Sequence, residues 1–484
     1  MRSPSRLITR IAAVLCLAAV VGACSKDSKP SANSAPVSSS SSSTSPSSAS
    51  SAPPSSSAAP TTGGAWLTWG GTPDRSGVTA DGPDRNGLHL AWTSAGLDGD
   101  VYGEPLVVGD TVIVATTGNS VYAFDAATGT TKWQALKLGE PVAGSAAPCG
   151  NVDPIGIEST PVADPANNRV YVVGLMQPAH DELIALDLRT GAVLFQKTVD
   201  APGADPLVHN QRSALAFANN RVYVPYGGRF GDCGNYKGRV VSVAADGSGD
   251  LQTYAIRADS QGGFWAPGGP PVAPDGSLFV TSGNSDSRQD FDDGNAVIHL
   301  NADLQPTDEF APSNWAQLNS SDTDLGTTMP ALLDNNRIFQ VGKSGVGYVM
   351  DATKLGGVGG ELHQDRVCDR VFGGLAHDAS TVFVPCSSQL RSLTISDTAF
   401  TEQWTVNLAK PGPPIVANGL VWVLEVGSGT LHALDRDTGG EVFSANVGAV
   451  THFSAPSAGN HTVFVEGGKT VQAYTSSSSD SPNP

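Results

Sequence analysis

Basic residues are in short supply: 28 Lys and Arg stand against 46 Asp and Glu, a formal charge of −18 over 484 residues. A chain so acidic has no cationic surface for nucleic acid or bare anionic lipid, and neither is expected as a partner. Cysteine is scarcer, six in all. No CxxC pair or Cys/His cluster is present to hold zinc, and no CxxCH motif to attach haem. HExxH and GxSxG are missing, which removes the common zinc-protease and serine-hydrolase readings. "VGKSG" at Val341 fails as a phosphate loop, because Arg337 stands where that loop needs glycine. The nine histidines are scattered. Long apolar runs are absent except "IAAVLCLAAVVGAC", Ile11 to Cys24, which is short for a membrane span.

That run follows "MRSPSRLITR", with Arg2, Arg6 and Arg10 and no acid. Charge then apolarity is the pattern of an export signal. It closes on "VGAC", Val21 to Cys24, which resembles the bacterial lipobox; the resemblance implies cleavage before Cys24 and attachment of a diacylglycerol to it. Residues 1–23 are thus expected to be a lipoprotein signal peptide, and loss of its arginines leaves the mature chain near −21. Residues 24–63 are mostly Ser, Pro and Ala, with too little apolar surface to offset ordering entropy. They read as a tether that reaches roughly 30–40 Å. Residues 476–484 read as a second disordered tail. The chain is expected outside the cytoplasm, lipid-anchored to the outer surface of the cell membrane.

Between these ends, residues 64–475 repeat. "VYAFDAATGTTKW" at Val121 returns as "LIALDLRTGAVLF" at Leu183 and "LHALDRDTGGEVF" at Leu431. Weaker copies begin at Val240, Val297, Gly347 and Leu390, and a truncated one at Val471. Equivalent positions are Ala123, Ala185, Ser242, His299, Val349, Ser392, Ala433 and Ala473, spaced from 62 down to 40 residues. Each copy follows an alternating apolar strand such as "NRVYVVG" or "STVFVPC", itself preceded by a short strand beside Pro or a small residue. Four strands per unit of about 40 residues define a β-propeller. The expected fold is all-β, an eight-bladed propeller of four-stranded antiparallel blades, with seven as the fallback count. The last unit lacks its outermost strand, and "LHLAWTSAG", Leu88 to Gly96, is an orphan able to supply it. Pairing of N- and C-terminal strands closes the ring and leaves no sheet edge open there.

"DAATGTTKW", "DLRTG" and "DRDTG" resemble the repeat of pyrroloquinoline-quinone (PQQ)-type propellers, the family of quinoprotein dehydrogenases and of the outer-membrane assembly scaffold lipoprotein. The resemblance implies that Thr-Gly makes the tight turn and that Trp caps the junction between blades. Trp133 matches that Trp, with Phe195, Phe443 and Trp404 as apparent substitutes. The likeness is specific for fold and weak for function.

Cys16 leaves with the signal and Cys24 takes the lipid, so Cys149, Cys233, Cys368 and Cys386 remain. Export favours two disulfides, with three possible pairings. Cys149 lies between blades 1 and 2, Cys233 in the middle loop of blade 3, Cys368 between blades 5 and 6, and Cys386 after the second strand of blade 6. Between-blade and middle loops share one face of a propeller, which favours Cys149–Cys233 and Cys368–Cys386. The same face receives the long insertions 143–160, 225–238, 284–295 and 306–326, so any site is expected over the axis there.

The resemblance to active quinoproteins is strongest in blades 4 and 5. "GGFWAPGGPPVAPDGSLFVTSGN" implies Trp265 as the floor under a quinone and Asn284 as a calcium ligand; "FDDGN" implies Asp293 as general base; "VGKSG" implies Lys343 on the quinone oxygens. Such a site would let a divalent metal polarise the quinone while a carboxylate takes an alcohol proton. The departures are that Cys233 stands where the family has a metal-binding Glu, that the family's adjacent Cys pair is missing, and that the acidic loop reads DDGN rather than GDN. Two functions follow. The favoured one is a non-catalytic binding or scaffold module of the cell envelope, with no cofactor, monomeric, meeting envelope proteins or a small-molecule or peptide ligand on its long-loop face. The alternative is a PQQ- and Ca2+-dependent dehydrogenase of alcohols or sugars.

Overall fold

A computed structural model describes residues 64–477. The signal, Cys24, the tether and the final residues of the tail lie outside the described residues. No helix among the described residues is long and apolar enough to cross a membrane.

Alternating apolar strands assemble into eight sheets. In blade 1, Leu106–Gly109, Thr111–Thr116, Ser120–Asp125 and Thr131–Ala135 pair antiparallel in chain order. The middle strands are buried on both faces because blades stack face to face; Thr111–Thr116 is buried throughout. The outer strand alternates, exposed except at Trp133 and Ala135. Eight blades is therefore the count, and the ring closes as expected: Leu88–Thr93 lies antiparallel to Val471–Ser476 as the outer strand of blade 8.

The break in alternation is a β-bulge in five of the first seven repeats. Register shifts fall between Ala123 and Phe124, Ala185 and Leu186, His299 and Leu300, Ser392 and Leu393, and Ala433 and Leu434. In blades 1, 2, 6 and 7 an aromatic residue of the outer strand stands at the bulge, opposite Ala123, Ala185, Ser392 and Ala433, where the added twist turns it toward the next blade; in blade 4 Asp308 holds that position. Trp133 Nε1 donates to Leu188 O at 2.9 Å, and its ring lies where a Cβ on Gly191 would stand, 2.4 Å away. Trp404 covers Gly439 in the same way, and Phe195 covers Gly247. Trp92, on the closing strand, covers Gly129 of blade 1 and donates to Ala126 O at 3.0 Å.

Blade 4 departs from the pattern. Its innermost strand is reduced to one bridge, Val272 with Leu278, and its outer strand Pro306–Ala311 gains a parallel partner, Gly357–Val358. The insertion after it carries a short helix, Trp315–Ser320.

The segment after Gly64 runs into the axis. Gly64–Trp66 pairs with Leu106–Gly109 of blade 1, and Val78–Thr79 runs parallel to Ile415–Ala417 of blade 7. In between, Leu67 O accepts from Ala163 N of blade 2, Pro73 O from Val272 N of blade 4, and Ser76 O from His377 N of blade 6. Arg75, fully buried, donates to Leu215 O of blade 3 and Pro270 O of blade 4. Trp69 packs with Met329 and Ala331 of blade 5. Asp81 accepts from Asn460 N and His461 N of blade 8, both at 2.8 Å. Residues 64–81 thus plug the ring and touch all eight blades. Gly64 and Ser477 both lie at the hairpin-turn face, opposite the long loops.

Candidate functional site

Both disulfides form between the expected partners. Cys149–Cys233 joins the blade 1–2 connection to the middle loop of blade 3, and Cys368–Cys386 pins the blade 5–6 connection to the second strand of blade 6. They brace the loop face around the axial mouth.

At that mouth, four residues before each innermost strand begins, stand the register-equivalent residues Tyr102, Glu158, Arg212, Thr327, Phe372 and Phe453 of blades 1, 2, 3, 5, 6 and 8. Trp265 of blade 4 is half-buried beside them, its Cβ against Gly227. Glu158 and Arg229, both almost fully buried, pair at 3.6 Å. Nearby Asp181 is pushed up to about 8, by burial first and then by the charge of Asp200.

Trp265, Asn284 and Lys343 come together around a residue that sequence reasoning passed over, Asp324. Its Oδ1 accepts from Asn284 N at 2.8 Å. The Asn284 side-chain amide, with its nitrogen turned toward the acid, donates to the same carboxylate. Lys343 Nζ lies 3.3 Å from Asp324 Oδ2 and 2.8 Å from Asp322 Oδ2. Gly283 allows the approach: a Cβ there would be 2.5 Å from Asp324 Oδ1 and 3.0 Å from Trp265 Nε1. Burial pushes the Asp324 carboxyl up, opposed by the Asn284 amide and by Lys343. Burial also works against the Lys343 ammonium, but its two carboxylates outweigh it and raise its pKa. The signal for Asp324 was the Asp-x-Asp of "SDTDLG", at the end of the 306–326 insertion.

Asp293 sits elsewhere. Its backbone has φ 74°, and its carboxylate turns outward, accepting from Arg257 N at 2.8 Å and Tyr254 OH at 3.3 Å and pairing with the Arg257 guanidinium. It borders a groove of about 590 Å³ between the outer strands of blades 3 and 4. Among the described residues no three His, Cys, Asp or Glu side chains converge as a metal site.

A propeller with PQQ-type repeats and a polar axial mouth defines a class, and comparisons place the chain within it. The model of the family described as outer membrane protein assembly factor BamB matches residues 85–286 and 394–480. That is more than half of the chain, which belongs to this family. The unmatched middle holds Asp293, Asp324 and Lys343. Similar solved structures include quinohemoprotein alcohol dehydrogenase from Comamonas testosteroni, at 15% identity, TM-score 0.69, covering 89% of this chain and 83% of that one. A europium-containing methanol dehydrogenase aligns at 16% identity, TM-score 0.63, over 83% and 89%. BamB from Moraxella catarrhalis aligns at 15% identity, TM-score 0.54, over 82% and 99%. At these identities the likeness is one of fold. No curated protein matches.

Proposed function

We propose that the protein is a surface-anchored lipoprotein whose propeller serves as a non-catalytic, monomeric binding or scaffold module of the cell envelope, engaging its ligand or partner at the axial mouth. One observation carries this reading: the residues that would hold a quinone and its metal are committed to one another. Calcium takes about six to eight oxygen ligands. Here Asp324 is shared by Asn284 and Lys343, Cys233 is closed in a disulfide, and the Asp293 carboxylate is paired with Arg257. This donor set does not fit the cation, and no chemical step is derived through it.

The second reading, a PQQ- and calcium-dependent dehydrogenase of alcohols or sugars, has the meeting of Trp265, Asn284, Asp324 and Lys343 in its favour. Titrating the purified protein with PQQ and calcium, while following Trp fluorescence and dye-linked alcohol oxidation, separates the two. The binding-module reading expects neither calcium-dependent quenching nor oxidation. Quenching that disappears in Trp265→Ala, with activity lost in Asp324→Asn, would replace it with the enzyme.

A further inference from the structure

The axial mouth holds a cation, Arg212, on which the charges of Glu158 and Glu466 act without a direct ion pair. Arg212 is 9% exposed; it leaves blade 3 and spans the mouth. Its Nη1 donates to Glu158 O of blade 2 at 3.0 Å and its Nη2 to His452 O of blade 8 at 3.2 Å. The guanidinium lies 5.3 Å from the ring centroid of Tyr102. Both hydrogen-bond acceptors are neutral carbonyls. The direct contacts of the nearby acids lie elsewhere: Glu158, whose charge both Arg229 and Arg212 feel, touches Arg229, and Glu466 accepts from Thr451, Ser454 and Gly468. Among the described residues no carboxylate lies within salt-bridge distance of Arg212. The other buried arginines differ: Arg229 has Glu158 as its direct ion-pair partner, and four protein oxygens accept from Arg75. A guanidinium withdrawn from water without an anion is costly, and five N–H groups are more than two carbonyls satisfy.

Beside this cation stands an apolar wall. Phe453 stacks on His452 with centroids 3.7 Å apart and lies 6.4 Å from Phe372. We infer that the mouth binds a carboxylate borne on an apolar or aromatic body, the carboxylate on Arg212 and the body against Phe372 and Phe453. The inference rests on the binding-module reading and names its ligand class. A single guanidinium fork suits one carboxylate. With Glu158 and Glu466 close by, a phosphate dianion or a polycarboxylate would bring more negative charge than Arg212 neutralises.

The test is calorimetric titration of the full protein with N-acetylphenylalanine and with its amide, and with a Gly/Ser hexapeptide ending in Phe as free acid and as amide. The acid should bind at least about ten-fold more tightly than the amide, and added salt should narrow the gap. Arg212→Gln, its folding checked by thermal melting, should abolish the preference; Phe453→Ala should weaken acid and amide alike. Binding of the small acid alone identifies a metabolite-sized ligand, and binding of the free-acid peptide identifies a chain terminus; either supports the inference. Equal binding of acid and amide, or no binding of either at about 10 mM, overturns it. Quinone-dependent oxidation would instead sink the binding-module reading whatever the acids do, so the two failures are distinguishable.

Discussion

Glu104 faces the axial plug rather than water. It is 3% exposed, accepts from Gly70 N at 2.7 Å, and burial pushes its carboxyl up to about 8. A folded-state pKa above the unfolded value means the folded form holds the proton more tightly. The associated stability is full below about pH 4.5 and is lost as pH rises toward 8. Glu104→Gln keeps the shape without the titration, so its melting temperature should fall less than wild type between pH 6.5 and 8.5, as calorimetry would show. At the mouth, Asp324→Ala removes one carboxylate from Lys343 and the acceptor of Asn284 N; it should cost about 2 kcal/mol in denaturant unfolding. Unchanged stability would mean that water replaces Asp324 freely. Trp265, Asn284 and Lys343 were legible because each flanks a strand whose place in the repeat is visible. Asp324 was not, since a 21-residue insertion carries it there. Asp293 lies within DDGN, and with its positive φ its carboxylate faces Arg257, an orientation the letters do not encode.

The repeating element is a strand pair, a Thr-Gly turn and an aromatic residue that lands on the next blade's turn. Gly191 and Gly203 both have positive φ, 69° and 72°, but only Gly191 lies under an indole; nothing comes within 4 Å of a Cβ at Gly203. Gly203→Ala should therefore cost about 1 kcal/mol for the backbone alone. Gly191→Ala should cost about 2–4 kcal/mol, because it also displaces Trp133. Matched chemical denaturation of the two variants isolates the junction; equal losses would deny Trp133 its role. The blades were readable because their pairings are local in sequence. Trp92 as a junction residue escaped notice, since its repeat is split between the two ends of the chain. The strands Gly64–Trp66 and Val78–Thr79 were invisible for the same reason: Val78 pairs with Val416, a partner no local pattern announces.

For the whole molecule, Glu104, Asp181 and Glu466 are buried acids held at about 8, about 8 and about 7, each raised chiefly by burial. All three bind more protons in the folded state through the neutral range. Buried His209 and His377, held below the usual imidazole range by burial, act oppositely and only as pH drops through 6.5. Melting temperature should therefore be higher at pH 6.5 than at pH 8.5, and a rise toward alkaline pH would contradict the assigned burial. Ending the chain after Gly468 removes the strand on which Leu88–Thr93 pairs. Such a truncation should broaden the unfolding transition and expose sheet edges to aggregation, both measurable by calorimetry and light scattering. The axial plug also bears on the order of assembly. It precedes every blade in the order of synthesis, yet its seat exists only when the last blade is complete. During vectorial production Trp66, Trp69 and Arg75 must wait without a home while some 390 further residues arrive. The ring's beginning is thus its final piece, and folding to completion is licensed by the chain's own end.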